Sequence, residues 1–214
     1  MLVFVSLAGA ALAADPPPDP AFALVEDDPA LPRVLLIGDS ISVGYTVPTR
    51  ELLAPKANVH RVLDNCGPTS HGVERIDAWL GEGKWTVIHF NFGLHDLKLM
   101  EDGRHQVPIG QYEANLRVIV GKLKATGAKL VWASTTPVPD APVNPPRSNA
   151  DVIAYNEVAA KVMAENGIAV DDLYSFALPR LAELQTPANV HFTPAGSKAL
   201  AEQVAQAIQK ALTE

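Results

Sequence analysis

The sequence predicts a three-layer α/β/α sandwich built on a five-stranded parallel sheet. Three observations lead there. Five apolar runs, each too short to be a buried helix, are spaced along the chain from residue 33. Patterns of helical period lie between them, giving a βαβαβαβαβα order that only a parallel sheet covered on both faces accommodates. Finally, 214 residues with 48% hydrophobic and 19% charged side chains make one well-filled domain and not a solvated coil.

The first strand is Arg33-Val-Leu-Leu-Ile37, continuously apolar and halted by Gly38, as expected of a strand buried on both faces. Val59–Leu63, Thr86–Phe90, Lys129–Ala133 and a short Ile168–Val170 supply the other four. Ile109, Tyr112, Leu116, Ile119, Val120 and Leu123 mark one helical face, with Gly127 as its stop. Val152, Tyr155, Ala159, Val162 and Met163 mark a second, capped by Ser148 with Asp151 and closed by Asn166-Gly167. A last helix starts at Thr193-Pro194, a hydroxyl cap with proline at the first helical position, and buries Ala199, Leu200, Val204, Ile208 and Leu212.

Residues 1–14 are apolar and uncharged, and Ala11-Leu12-Ala13 offers the small-x-small pattern of a signal-peptidase site. They read as a signal peptide, too short to span a bilayer as a helix, so export to the periplasm or the extracellular space is expected, with no membrane insertion after cleavage. Residues 15–31 open with Asp15-Pro-Pro-Pro-Asp-Pro20 and read as a Pro-rich extended tether, leaving 32–214 as the folded domain. The balance of 17 Lys+Arg against 24 Asp+Glu, a net charge of −7, argues against a nucleic-acid partner, which needs clustered positive charge. A lone Cys66 excludes an internal disulfide and a thiolate zinc cage, and reads as a small buried hydrophobe. Six histidines invite a metal reading, but none shares a ligand spacing on one helix face, so neither metal nor cofactor is expected.

In parallel sheets function collects beyond the carboxyl ends of the strands. Gly38-Asp39-Ser40 follows the first strand, so Ser40 stands on a tight strand-to-helix turn with its hydroxyl exposed above a helix N-terminus. A phosphate loop is ruled out because Tyr45, not Lys, follows Gly44. Asn65-Cys66-Gly67 follows the second strand, Gly93-Leu94-His95-Asp96 the third, and His191-Phe-Thr-Pro-Ala-Gly196 precedes the last helix. The loops Lys98–Gln106 and Pro137–Arg147 stand where substrate walls would be, carrying Lys98, Arg104 and Arg147.

These four segments, in this order from about Pro32 onward, resemble the blocks of the SGNH (GDSL) hydrolase family. The resemblance implies a flavodoxin-like sheet and a serine esterase or lipase-like activity. It assigns Ser40 as nucleophile and His191 as general base, with an oxyanion hole from Ser40, Gly67 and the block-three position. Two departures stand out. His95 occupies the place of the family's asparagine, where an imidazole N–H can still donate. Ala188 occupies the place of the family's aspartate, so the usual carboxylate behind the base is missing. A backbone carbonyl fixing the His191 tautomer, or a plain Ser–His dyad, is then expected, ahead of Asp96 or Asp172 from another loop. Asp39 and Asp96 are expected to stiffen their loops. By resemblance and export, the substrate expected is a short acyl ester, an O-acetyl carbohydrate above all, or another small-molecule ester. Two rivals stay open: a catalytically silent glycan-binding protein with this fold, and a lipase- or thioesterase-type acyl hydrolase.

Overall fold

The computed structural model describes residues 19–214, so the expected signal peptide and the first residues of the tether lie outside the described residues. Five strands form the sheet: β1 (Arg33–Ile37), β2 (Asn58–Arg61), β3 (Val87–Phe90), β4 (Lys129–Ala133) and β5 (Ala169–Asp171). All neighbours pair parallel in the order β2-β1-β3-β4-β5. Among the described residues seven α-helices accompany them: α1 (Ser40–Leu53), α2 (Thr69–Leu80), α3 (Ile109–Ala125), α4 (Asn149–Asn166), α5 (Leu173–Ala177), α6 (Leu181–Leu184) and α7 (Pro194–Thr213). α1 packs on α7 over one face, while α2, α3 and α4 pack in succession over the other. The α/β/α sandwich expected from the sequence is therefore the fold.

The central strands are apolar because both faces are covered: Val34, Leu36, Ile37, Val87, Ile88 and Phe90 are fully buried, and Trp132 of β4 pairs in register with Phe90. The strand order reverses at β1, whose neighbours are β2 on one side and β3 on the other. That reversal opens a crevice beyond the carboxyl ends of β1 and β3, the position at which ligands bind in open α/β sheets.

Three expectations need correction. β2 ends at Arg61 and not at Leu63: the Val62 N–H still reaches the Leu36 carbonyl at 3.2 Å, but β1 ends at Ile37 and Leu63 is exposed. β5 is shifted by one residue to include Asp171, a residue disfavoured in strands. Its carboxylate is fully buried, bonded to His89 Nε2 of β3 at 2.9 Å and to Gln203 Nε2 of α7 at 3.0 Å. Finally, residues 19–31 do not stand free as a tether but dock along the β2 edge. Arg50 donates to the carbonyls of Pro20 and Ala23, Asn58 exchanges hydrogen bonds with Asp28, and Phe22 lies 5.2 Å from the Arg61 guanidinium.

The helix signals hold where they were legible. Gly167 closes α4 with φ 66°, and Ser148 accepts from the Asp151 N–H at its start. Thr193 caps α7 through the Gly196 N–H at 3.0 Å. Gly196 has a second duty. A Cβ there would come within 2.0 Å of the Leu184 carbonyl oxygen, so only glycine lets α7 approach the loop that leads to His191. Gly196→Ala should therefore destabilise the fold by about 1–3 kcal/mol, as overpacking commonly does. Urea unfolding of the two proteins checks this, and an unchanged midpoint contradicts it.

Candidate active site

The site assembles from four loops. Asp39 caps α1 by accepting the Ile41 N–H at 3.0 Å and is 3% exposed, which holds Ser40 at the helix's first position. N–H groups in a first helical turn have no partner inside the helix, so they face outward with the positive end of the dipole. Beneath this turn lies Arg61, buried at 4% exposure and bound, among the described residues, only to neutral acceptors: Ser42 Oγ at 2.6 Å, Thr46 Oγ1 at 3.4 Å, the Gly38 carbonyl at 2.9 Å and the Asp64 carbonyl at 3.2 Å. The Gly38 carbonyl also accepts the Cys66 N–H at 3.3 Å. One carbonyl thus ties the loop after β1 to the loop after β2.

That tie sets Gly67 beside the site. Its φ of 57° is the left-handed region that favours glycine. Its N–H points at Asn65 Oδ1 over a long 3.3 Å. The His95 ring is its neighbour across the crevice, with Nδ1 4.0 Å from where a Gly67 Cβ would stand. Burial pushes the His95 pKa down; Asp39 opposes that shift, while Lys98, Arg147 and His191 add to it. The ring therefore stays neutral near pH 7, and one N–H remains to donate.

Across the rim, His191 Nε2 lies 2.9 Å from Ser40 Oγ, although the two are 151 positions apart. Behind the ring, Asn189 Oδ1 sits 2.7 Å from His191 Nδ1 and 3.0 Å from the His191 backbone nitrogen. A backbone N–H can only donate, so this amide presents its oxygen, and an oxygen facing Nδ1 requires the proton to be on Nδ1. Nε2 is then a lone pair aimed at the Ser40 hydroxyl. The expectation of a carbonyl acceptor or a bare dyad is corrected on this point: a side-chain amide two residues before the histidine orients it. Asp96 and Asp172 do not reach it. Asp172 caps α5 and accepts from Ser134 Oγ.

The turn that delivers Asn189 explains why Ala188 carries no carboxylate's role. The Asn189 N–H bonds the Thr186 carbonyl at 3.1 Å, and Pro187 and Ala188 fill the turn's corners. Ala188 has φ 52°, the positive value that the third residue of a type II turn needs. Around it, Thr186 donates to the His191 carbonyl, and Gln185 Nε2 donates to the carbonyls of Pro137 and Val190. The turn is braced from both sides.

Residues 36–199 match the family model described as GDSL-like Lipase/Acylhydrolase. The chain belongs to that family. Its members hydrolyse esters, and this domain is an ester-hydrolysing enzyme of the SGNH type. No curated protein matches the chain. Solved structures do. A lipase/acylhydrolase from Enterococcus faecalis superposes with a TM-score of 0.72 at 21% identity, covering 84% of this chain and 96% of its own. An acetyl xylan esterase gives 0.71 at 15% identity, covering 82% and 99%. An acetylxylan esterase from Geobacillus stearothermophilus gives 0.68 at 18% identity, covering 83% and 94%. At such identities the likeness is one of fold.

In this GDSL-type domain the remaining sequence candidates have structural duties. Asp96 is fully buried and accepts, through Oδ1, both the N–H and the hydroxyl of Thr69. It thereby caps α2, whose own N-cap residue is Pro68 with no side-chain bond to give. Asp96 Oδ2 has no hydrogen-bond partner among the described residues, and burial pushes the carboxyl up to about 7. Burial pushes the Cys66 thiol up to about 12, so it stays protonated and a thiolate nucleophile is absent from the site. Four of the other histidines each face one carboxylate: His60 with Asp27, His71 with Asp64, His89 with Asp171, His105 with Asp151. Among the described residues no three His, Cys, Asp or Glu gather to hold a metal, and no helix is long and apolar enough to cross a membrane.

The sequence reading missed Asn189 and Arg61. Asn189 was findable as the polar side chain closest in sequence to His191 after a Pro-Ala corner. Arg61 gave no signal, because a basic residue ending a strand normally reads as surface.

Two tests follow. Asn189→Ala should lower kcat by about tenfold or more by freeing the ring's tautomer, whereas Asn189→Asp, which keeps an acceptor, should retain or raise it. Steady-state ester hydrolysis decides, and an Ala variant with unchanged kcat removes Asn189 from the account. For Asp96 the sign is set by a folded-state pKa raised above the ordinary aspartate value of about 4. Between pH 4 and about 7 the folded protein holds a proton that the unfolded chain has released, so this group's contribution to stability falls as pH rises through that window. Asp96→Asn keeps an acceptor for Thr69 and removes the titration. Its Tm should therefore drop less than that of the wild type between pH 4.5 and 7, and parallel Tm profiles would refute this.

Proposed function

We propose that the chain is an exported serine esterase that removes short acyl groups, O-acetyl groups on carbohydrate above all, through an acyl-enzyme on Ser40. The observation that carries the reading is the chain of contacts Ser40 Oγ–His191 Nε2–His191 Nδ1–Asn189 Oδ1, at 2.9 and 2.7 Å. As Ser40 attacks the ester carbonyl, Nε2 takes its proton; the imidazolium that forms is steadied by the amide oxygen behind it. The carbonyl oxygen becomes an oxyanion in reach of the Ser40 and Gly67 N–H groups and the His95 ring, with the Gly67 N–H exchanging its long bond to Asn65 for the stronger charged one. His191 then returns the proton to the leaving alcohol. Water, activated by the same nitrogen, releases the acid.

Support for a small acyl group and a large alcohol comes from exposure. Ser40 is half-buried and His191 is exposed, so the reacting hydroxyl meets an open rim that admits a polymer from the side. The acetylxylan esterases among the structural neighbours agree with that reading. A missing carboxylate at Ala188 would favour a silent binding protein, but Asn189 occupies the orienting position instead.

Acetate release from p-nitrophenyl acetate tests this. Ser40→Ala should abolish turnover and His95→Ala should cost about 100- to 1,000-fold, the usual loss for one oxyanion donor. A Ser40→Ala enzyme with wild-type turnover overturns the mechanism. Failure of a fluorophosphonate probe to label Ser40 would favour the silent binding protein.

A further inference from the structure

Two cations flank His95 without a carboxylate to pair with. Lys98 follows it by one turn, its N–H bonded to the His95 carbonyl at 3.3 Å. Arg147, at the end of the Pro137–Arg147 loop, reaches over and donates Nε to the Leu94 carbonyl at 2.8 Å and Nη1 to the Pro145 carbonyl at 3.1 Å. The two loops are laced together by the Leu99 N–H on the Pro146 carbonyl at 3.0 Å. Both side chains are half-buried. Among the described residues, neither lies within 4.0 Å of a carboxylate, and Lys98 Nζ has no hydrogen-bond partner. Burial and then Arg147 depress the Lys98 pKa, burial depresses that of Arg147, and both cations lie near enough to depress that of His95.

The acids nearby are already committed. Asp39 is spent on the α1 cap, and Asp96 is buried on Thr69. In a chain of net charge −7, two partly desolvated and unpaired positive groups beside an oxyanion position are a local reversal of sign. Such groups gain most from a ligand that brings the missing negative charge, because part of their hydration has already been removed.

We infer that Lys98 and Arg147 form an anion-recognising rim, and that the preferred substrate is an acetyl ester whose alcohol part carries a carboxylate, as in an acetylated acidic sugar chain. This rests on the esterase reading above. An acetyl group cannot itself bear the charge, so the anion must sit on the alcohol side. Lys98 would meet it as a mobile point charge, and Arg147, anchored by its two carbonyls, as a planar donor pair.

Hydrolysis of 4-acetoxybenzoate and of its neutral methyl ester, methyl 4-acetoxybenzoate, tests the inference. The ratio of their kcat/KM values is compared between proteins, so that the intrinsic reactivities of the two esters cancel. In Lys98→Gln the ratio of anionic to neutral substrate should fall about threefold to tenfold, chiefly through KM. Lys98→Glu should lower it further, and 0.5 M NaCl should lower it in the wild type about as far. A ratio unchanged in both Lys98 variants overturns the rim while leaving the esterase intact. A wild type that hydrolyses neither ester overturns the esterase reading and the rim with it.

Discussion

One amide oxygen fixes the geometry of the candidate site. Asn189 Oδ1 accepts two N–H groups of the same residue, the backbone and the ring of His191, and so fixes both where the imidazole stands and which nitrogen is bare. A carboxylate in that place would add a full charge to stabilise the imidazolium. The amide offers only a dipole, so its contribution must come from placement. Placement in turn depends on the Thr186–Asn189 turn keeping its shape, with a residue of positive φ at its corner and Gln185 braced against Pro137 beneath it. In the proposed mechanism this preorganises the site, since the ring would need no rotation to take the hydroxyl proton.

The rest of the fold serves the same end by bringing distant loops to a common edge. The Gly38 carbonyl accepts from Arg61 and Cys66, which sets the Gly67 loop against the Ser40 turn. Asp96 caps α2 from the neighbouring loop and so fixes the far wall, while Gly196 allows α7 to close on Leu184. Several buried polar side chains are held by backbone atoms of these loops. Arg61 is the clearest case, a buried guanidinium with no ion-pair partner among the described residues, whose Nη2 holds the Gly38 and Asp64 carbonyls in line while Nη1 donates to the Ser42 hydroxyl. The buried His89–Asp171 pair does the equivalent for the sheet, crossing β4 to tie β3 to β5.

Much of this was legible in the amino-acid order. The apolar run of β1 and the periodic faces of α3, α4 and α7 reported the layers, because burial on both sides of a strand and on one side of a helix leaves different periods. α2 was silent, since its buried positions are few and include Thr69 and Gly72, which carry no hydropathy signal. Asp171 hid the true end of β5 because a carboxylate reads as a strand breaker until its buried histidine is known. Ser40, Gly67, His95 and His191 could be singled out because each follows a strand or precedes a helix at the functional edge. Asn189 could not be assigned its part, since what matters is the direction of a side chain on a turn whose geometry only the folded loop defines. The same holds for Lys98 and Arg147, whose want of an ionic partner is a property of the assembled rim.

The central claim is that Ser40 is acylated with His191 as its base. The most direct measurement is acid-quenched turnover of p-nitrophenyl acetate followed by intact-mass and peptide mass spectrometry. The account predicts one added acetyl group, located on Ser40 and lost when His191 is replaced by alanine. An adduct on any other residue, or acetylation of Ser40 at the same rate without His191, would contradict it.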